Sequence, residues 1–362
     1  MKKRKTKSTI RLLSRADPKT HSVLVRAPNW IGDCIMVSRA LFRIRTIFPE
    51  SRIDLICRPH LASLFRLGQP IDDVIIVPVI ERREKVLACS SLIRRRDMRY
   101  DLGILFTNSF STALSFRLGG VRWRLGYGRD CRSFLLSRAI PRPGNVHQID
   151  YYDHLLTVLD GPLPPAPERF LRIPKELDDS LSVRMVQMGI PMEPAPIIIA
   201  PGAAYGPAKC WPVERFSQVV ERLVVDYPER MILCLGGRDE EDLIGEIMKT
   251  LKTNRVRALA GTLALDEALA LIARAACVLA NDSGLMHAAW ALDVPLLAIF
   301  GPTDPRGSRP LSPRSRLIHK RAECAPCLHR RCPIDHRCMT SITVDEVVCV
   351  MKELLGSKGL ND

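Results

Sequence analysis

Three charged residues in this 362-residue sequence stand where they could act on a ligand: Asp33, Lys209 and Asp282. Each follows a short apolar run and sits among small or turn-forming residues. In "APGAAYGPAKCWP" (200–212), Lys209 is the only charge between the run PIIIA and Trp211. Gly202, Ala203, Ala204 and Gly206 keep bulk away, so backbone N–H groups can approach an anion while the lysine supplies a point charge. No Gly-Lys-Ser/Thr follows, so this is not a nucleotide-triphosphate loop of the Walker type. A lone loop lysine is by default an exposed one; the small neighbours favour a diphosphate instead.

Asp33 lies in "RAPNWIGDCIM" (26–36), where a strand turns at Pro28-Asn29 and a helix begins near Gly32. A carboxylate in the first helical turn is stabilised by the helix dipole, which is a sufficient structural reason for it. The alternative is a general base taking a proton from a hydroxyl. In "LANDSGLMHAAWALDVPLLAIFGPTDP" (279–305) a strand ends at Asn281-Asp282, and Ser283, Gly284 and Leu285 open a helix that carries His287. Such a helix start is an anion site of α/β folds. Asp282 fits an N-cap or a contact to sugar hydroxyls, and His287 fits a ligand contact or a packed helix face. "LCLGGRDEED" (233–242) ends another strand in a Gly-Gly turn followed by acids; Glu240 is a candidate for ribose hydroxyls or an exposed helix start.

Four of the twelve cysteines, Cys324, Cys327, Cys332 and Cys338, fall within fifteen residues. In a reducing compartment a Cys-x2-Cys pair with two more cysteines nearby reads first as a structural zinc site. His329 and His336 are substitute ligands, and disulfides or free thiols are the other readings.

The elements that must position these residues repeat in order. SVLVRA (22–27), RIDLIC (52–57), DVIIVP (73–78) and DLGILF (101–106) read as strands separated by helical patterns, one of them from Ile35 to Phe48. After the proline-rich stretch 161–176 the pattern restarts with PIIIA (196–200), RMILCL (230–235), ACVLAN (276–281) and VPLLAIF (294–300). This alternation predicts an α/β protein of two Rossmann-like domains with parallel sheets. The expected organisation is a basic N-terminal extension (1–20), an N-terminal domain (21–160), a linker (161–176) and a C-terminal domain (177–362) that includes the Cys-rich segment 324–338. Ligands of such domains bind at the carboxyl ends of the strands.

Charge is unevenly distributed. Residues 1–150 hold 29 lysines and arginines against 12 acids, while the remainder holds 25 against 27. A basic half suits an anionic surface, a phosphorylated acceptor or nucleic acid, or is simply a solvated face. The chain has no RRM, KH or helix-turn-helix signature, so nucleic acid is not an expected partner. The start, MKKRKTKSTIRLLSR, lacks the apolar core of a secretory signal and reads as a basic tail on a cytoplasmic protein.

Taken together, "NWIGDCIM", "TNSFSTAL" (107–114), "PGAAYGPAKCWP" and "NDSGLMHAAWAL" in this order resemble the ADP-heptose:lipopolysaccharide heptosyltransferases, nearest their heptosyltransferase II branch. The resemblance runs from about residue 22 to 350. It implies a GT-B glycosyltransferase fold of two facing Rossmann-like domains. It further implies inverting transfer of L-glycero-D-manno-heptose from ADP-heptose to the heptosylated Kdo–lipid A inner core. By position it gives Asp33 the general-base role and Lys209 the donor diphosphate. Gly202, Ala203, Asp282, Ser283, Gly284, Leu285 and His287 fall on the donor pocket, with Glu240 or Glu241 as the ribose-binding acid. Asn29, Trp30, Asn108 and Ser109 fall on the acceptor side.

The expected partners are then ADP-heptose, the lipid-anchored acceptor and the anionic inner face of the cytoplasmic membrane, where the protein would be peripheral. No cofactor is expected for catalysis. Cys210 stands where relatives often have arginine, the basic extension precedes the usual start of the fold, and the Cys cluster occurs in only part of the family. Competing readings are a related transferase with another donor or acceptor position, and a non-enzymatic binder of anions or nucleic acid.

Overall fold

The computed structural model describes residues 21–78, 82–159, 162–167, 169–251 and 253–356. The basic stretch 1–20 lies outside the described residues. The chain divides into two compact units, Met1–Phe170 and Leu171–Asp362, and each carries one six-stranded parallel sheet. Among the described residues, no helix is long and apolar enough to cross a membrane.

In the first unit, β1 (Ser22–Arg26), β2 (Arg52–Cys57), β3 (Asp73–Ile76), β4 (Leu102–Leu105), β5 (Trp123–Tyr127) and β6 (Arg138–Ile140) lie in the order β3-β2-β1-β4-β5-β6. β1 sits between its two parallel neighbours, with Val23 opposite both Ile53 and Leu102. Its five residues are all buried, which is why it reads as a continuous apolar run rather than an alternating one: helices cover both faces of a parallel sheet. The helix Ile31–Ile47 follows β1 and packs against the helix Gln148–Leu156. It starts at Ile31, within one residue of the Gly32 start expected after the turn at Pro28-Asn29.

The second unit repeats the plan. β7 (Ile197–Ala200), β8 (Ile232–Cys234), β9 (Val256–Ala258), β10 (Cys277–Asn281), β11 (Leu296–Phe300) and β12 (Ser315–His319) take the order β12-β11-β10-β7-β8-β9. Read from either edge, the sheet again has its reversal of strand order at the centre, as in a doubly wound fold. Its core joins Ile197, Ile199, Leu279 and Ile299 of the sheet to Phe216, Val220 and Leu223 of the helix Val213–Asp226. Burying each such side chain contributes about 1.5–3 kcal/mol.

Four strands, β5, β6, β9 and β12, lie outside the sequence expectation. All four belong to the outer half of their sheets and are short or mixed in polarity: β12 reads SRLIH, with Arg316 and Leu317 exposed. The proline-rich stretch is docked rather than loose, since Arg43 donates to the Pro164 carbonyl (2.7 Å) and Gln69 to that of Phe170 (3.2 Å). Its last two residues, Lys175 and Glu176, already belong to the helix Lys175–Gln187.

Candidate active site

In both units the strand order reverses at the central pair, β1 with β4 and β7 with β10, and the loops leaving those strands carry most of the candidate residues. That is where an open α/β sheet binds its ligand, because the two crossovers leave on opposite faces and open a crevice.

In the first unit β1 leads to Asn29, Trp30 and Asp33, and β4 leads to Asn108 and Ser109. Asp33 occupies the third position of the helix Ile31–Ile47, whose N-cap residue Trp30 makes no side-chain cap bond. Asp33 therefore is not the N-cap itself. Its Oδ1 accepts a hydrogen bond from the Tyr152 hydroxyl at 3.0 Å. Trp30 is half exposed, and Asn29 Oδ1 accepts from the buried guanidinium of Arg26 at 3.1 Å. Asn108 and the Tyr151 hydroxyl exchange hydrogen bonds at 2.9 and 3.1 Å. Ser109 caps the helix Phe110–Leu118 by accepting from the Thr112 N–H. Beneath this loop lies Arg132, fully buried, donating to the carbonyls of Thr107 and Tyr127 at 2.6 and 3.0 Å. Burial lowers its pKa to about 10, so it remains a cation at neutral pH and ties the ends of β4 and β5 together.

In the second unit the loop 201–212 is held from both ends by one side chain. Asn281, fully buried at the end of β10, donates to the Pro201 carbonyl (2.6 Å) and accepts from the Trp211 N–H (3.2 Å). Trp211 is itself an anchor: it is buried, stands edge-on to Phe216 with centroids 5.2 Å apart, and donates its indole N–H to the Ile342 carbonyl. Within that frame Lys209 is not an unpaired cation. Its Nζ lies 2.6 Å from Asp282 Oδ2, with both side chains largely buried, and the same oxygen accepts from Thr303 Oγ1 at 2.7 Å. The ammonium lies 4.9 Å from the centroid of the Tyr205 ring. Asp282 is not the cap of the helix Gly284–Ala291; that position falls to Ser283, which makes no side-chain cap bond. Ser283 Oγ is buried and has no hydrogen-bond partner among the described residues. His287 is buried on the helix beside Trp290, with ring centroids 6.1 Å apart, a packed position.

The backbone turns Glu240 and Glu241 in different directions. Glu240 closes a 3-10 turn, accepts the Gly237 N–H at 2.8 Å, and lays its carboxylate against Gly202 and Gly236. Glu241 points elsewhere, beside Gly261. Burial raises the Glu240 pKa, opposed by the Gly237 N–H. Cys210 lies close enough for the Glu240 charge to act on it; burial and that charge push its thiol up to about 11. It is therefore a neutral group at neutral pH.

A Cβ at Gly202 would sit 1.7 Å from Glu240 Oε1. The clash is with the tip of a flexible side chain, so Gly202→Ala is expected to leave the fold intact and displace the carboxylate. The expected result is a Tm within about 2 °C of wild type and a weakening of ADP binding of roughly ten-fold, the size of one lost charged hydrogen bond. Calorimetric titration with ADP checks it, and unchanged affinity would remove Glu240 from the site.

The Cys-rich segment is laid against the same loop. Ala208 N–H donates to the Arg330 carbonyl (3.1 Å) and the Tyr205 hydroxyl to that of Leu328 (2.6 Å). His336 Nε2 meets the Ala208 carbonyl at 2.7 Å. Gly206 has φ +151°, and a Cβ there would meet the Arg330 carbonyl at 2.5 Å, so the contact requires glycine. The four thiols lie within electrostatic reach of one another: burial, and then the charges of Cys324, Cys327 and Cys332, raise the Cys338 pKa. Cys324 is exposed, Cys327 and Cys332 are half-buried and Cys338 is buried. Among the described residues no three His, Cys, Asp or Glu side chains are placed to hold one metal ion. The segment meets the lysine loop through main-chain carbonyls, His336 and the Arg330 guanidinium, which lies 5.3 Å from the centroid of the Tyr205 ring.

Several supporting residues escape sequence reasoning: Tyr152, Thr303, Tyr205 and Arg132, together with the role of Asn281 as the loop's clamp. Asn281 carried the one usable signal, a polar residue closing an otherwise apolar strand.

This arrangement can be set beside known proteins. The profile of glycosyltransferase family 9 (heptosyltransferase) matches residues 90–337. Lipopolysaccharide heptosyltransferase 2 of Escherichia coli K12 is 31% identical over 315 residues, covering 82% of this chain and 87% of its own. Lipooligosaccharide heptosyltransferase 2 of Haemophilus ducreyi is 26% identical over 359 residues, covering 92% and 99%. The solved structure of E. coli ADP-heptose lipopolysaccharide heptosyltransferase II superimposes with a TM-score of 0.76 at 27% identity, covering 92% of this chain and 98% of that one. The match spans both units and their two-sheet, Rossmann-like architecture. The chain belongs to glycosyltransferase family 9, the heptosyltransferases.

Proposed function

We propose that this protein transfers L-glycero-D-manno-heptose from ADP-heptose to the heptosylated Kdo–lipid A inner core of lipopolysaccharide, with inversion at the anomeric carbon. The observation that carries this reading is the pair of features on the loops leaving the second sheet: the Lys209–Asp282 ion pair and the Glu240 carboxylate laid against Gly202. It offers a cation for a diphosphate and a carboxylate for ribose hydroxyls, beside a loop of small residues. The buried, hydrogen-bonded setting of Lys209 pre-orients its charge, which is worth more in a partly desolvated site than in water.

In the reaction the acceptor hydroxyl oxygen attacks the anomeric carbon. Its proton passes to the Asp33 carboxylate, and the bond from that carbon to the β-phosphate oxygen breaks with its electron pair leaving on ADP. Lys209 meets the charge that develops on the departing diphosphate. Asn29, Trp30, Asn108 and Ser109, on the loops after β1 and β4, are the residues we assign to the acceptor. The basic first half of the chain suits an anionic inner-membrane surface, each basic residue near it contributing about 1 kcal/mol.

The test is ADP release from ADP-heptose with and without a mono-heptosylated Kdo2–lipid A acceptor, beside UDP-heptose as a control donor. Acceptor-dependent release from the ADP-sugar alone is expected. Release only with a different acceptor would reassign the protein to a sister transferase, and preference for the UDP-sugar would overturn the donor assignment. Co-sedimentation with phosphatidylglycerol vesicles, lost at high salt, checks the membrane reading in the same preparation.

A further inference from the structure

One turn of the helix Gln148–Leu156 ties together most of the first unit's site. Its four consecutive residues Tyr151, Tyr152, Asp153 and His154 each reach a different partner. Tyr151 bonds Asn108 on the loop after β4. Tyr152 bonds Asp33 at 3.0 Å. Asp153 sits between Arg43 (3.2 Å) and Arg39 (3.5 Å) of the helix that carries Asp33. His154 Nδ1 lies 3.2 Å from the Tyr127 hydroxyl at the end of β5. The helix is thus fastened to the two loops that leave the sheet at its switch point and to the strand beside them.

We propose that Tyr152 is a positioning residue for transfer: its hydroxyl holds the Asp33 carboxylate in the orientation from which it takes the acceptor proton. Three observations support this, and the inference rests on the reading of Asp33 as the base. Tyr152 is buried, with its ring edge-on to Phe106 at 5.5 Å, so its hydroxyl has little freedom to wander. The Tyr152 hydroxyl is the donor to Asp33 Oδ1, and the nearby Gln148 side chain acts on the phenol in the sense of a donor, against the effect of burial. The phenol also stays un-ionised, since burial and then the Asp33 charge raise its pKa far above neutrality. It therefore holds the carboxylate as a neutral donor and does not compete for the acceptor proton. Fixing Oδ1 limits rotation of the carboxylate about its own axis, and a base held in one orientation transfers a proton more readily than one that must first be oriented.

Tyr152→Phe keeps the ring and its packing and deletes the donor. Because Asp33 is only half-buried, water can replace the lost bond, so the variant is expected to fold with a Tm within about 2 °C of wild type. The expected kinetic result is a kcat about ten-fold lower with the KM of both substrates within two-fold, the pattern of a group that matters only in the transition state. The deciding measurement is the double-mutant cycle with Asp33→Asn. If the tyrosine acts through the aspartate, Tyr152→Phe will cost about ten-fold in the native background and less than about two-fold when Asp33→Asn is already present. A purely structural tyrosine would cost the same in both, and that outcome overturns the inference. Full activity in Asp33→Asn alone is a separate failure, since it would remove the base on which the inference rests. Full activity in Tyr152→Phe with an inactive Asp33→Asn would leave the base standing and sink the positioning role.

Discussion

Asp33→Asn is expected to lower kcat by about 10²–10⁴-fold, the range for losing a positioned general base, with ADP affinity unchanged. The substitution is close to isosteric and preserves an acceptor oxygen for the Tyr152 hydroxyl, so the geometry of the helix start should survive. What is lost is the basic oxygen. The structural alternative, a carboxylate placed to satisfy the helix N-terminus, makes a different forecast. A charge at the third helical position is worth about 0.3–1 kcal/mol, which would appear as a small drop in Tm and no large change in rate. The two accounts are therefore separable in one preparation by single-turnover kinetics and a thermal melt. A rate within about three-fold of wild type would assign Asp33 to the helix.

The second large effect concerns Lys209, and here the ion pair with Asp282 changes the design of the experiment. Lys209→Met removes the cation at the diphosphate, and one lost electrostatic contact to developing charge costs about 10²–10³-fold. It also leaves Asp282 buried without its counter-charge, a penalty of about 3–5 kcal/mol for broken buried pairs. A loss of activity in the single variant could therefore come from a damaged fold. The double variant, Lys209→Met with Asp282→Asn, removes both charges; the amide oxygen introduced at position 282 can still accept from Thr303. Stability is expected to fall in the single variant and to recover in the double one, while turnover of the ADP-sugar stays down by about 10²-fold or more in both. Wild-type-like turnover in the recovered double variant would show that Lys209 serves the fold and not the diphosphate.

Gly202 and Glu240 illustrate why neighbouring positions had such different legibility. A glycine just past an apolar strand announces a close approach, and the structure supplies what approaches, the Glu240 carboxylate. The run of acids in "RDEED" carries no such information, because adjacent residues in a tight turn differ in direction and not in composition. Only the 3-10 turn Arg238–Glu240 turns one glutamate toward Gly202 and its neighbour toward Gly261.

The sequence by itself determined the fold class, most of the inner strands and the loops that carry the candidate site. Apolar runs long enough to be buried on both faces, alternating with helical spacing, admit few arrangements other than parallel sheets covered by helices. Small residues after β7 and a carboxylate just inside the first helix are local features, and local features are written in order along the chain. The tertiary structure decided everything that depends on residues far apart. Lys209 and Asp282 are 73 positions apart and Asp33 and Tyr152 are 119 apart, yet each pair shares a hydrogen bond. No periodicity encodes such a pairing; it follows from which strands become neighbours when the sheet order reverses. The same holds for the cysteines. Their spacing in the chain suggests a common ligand; the packing of segment 324–338 sets Cys338 within electrostatic reach of the other three, with exposure that ranges from exposed to buried. Packing is settled by the whole core, and the spacing of four residues is too little of it to decide.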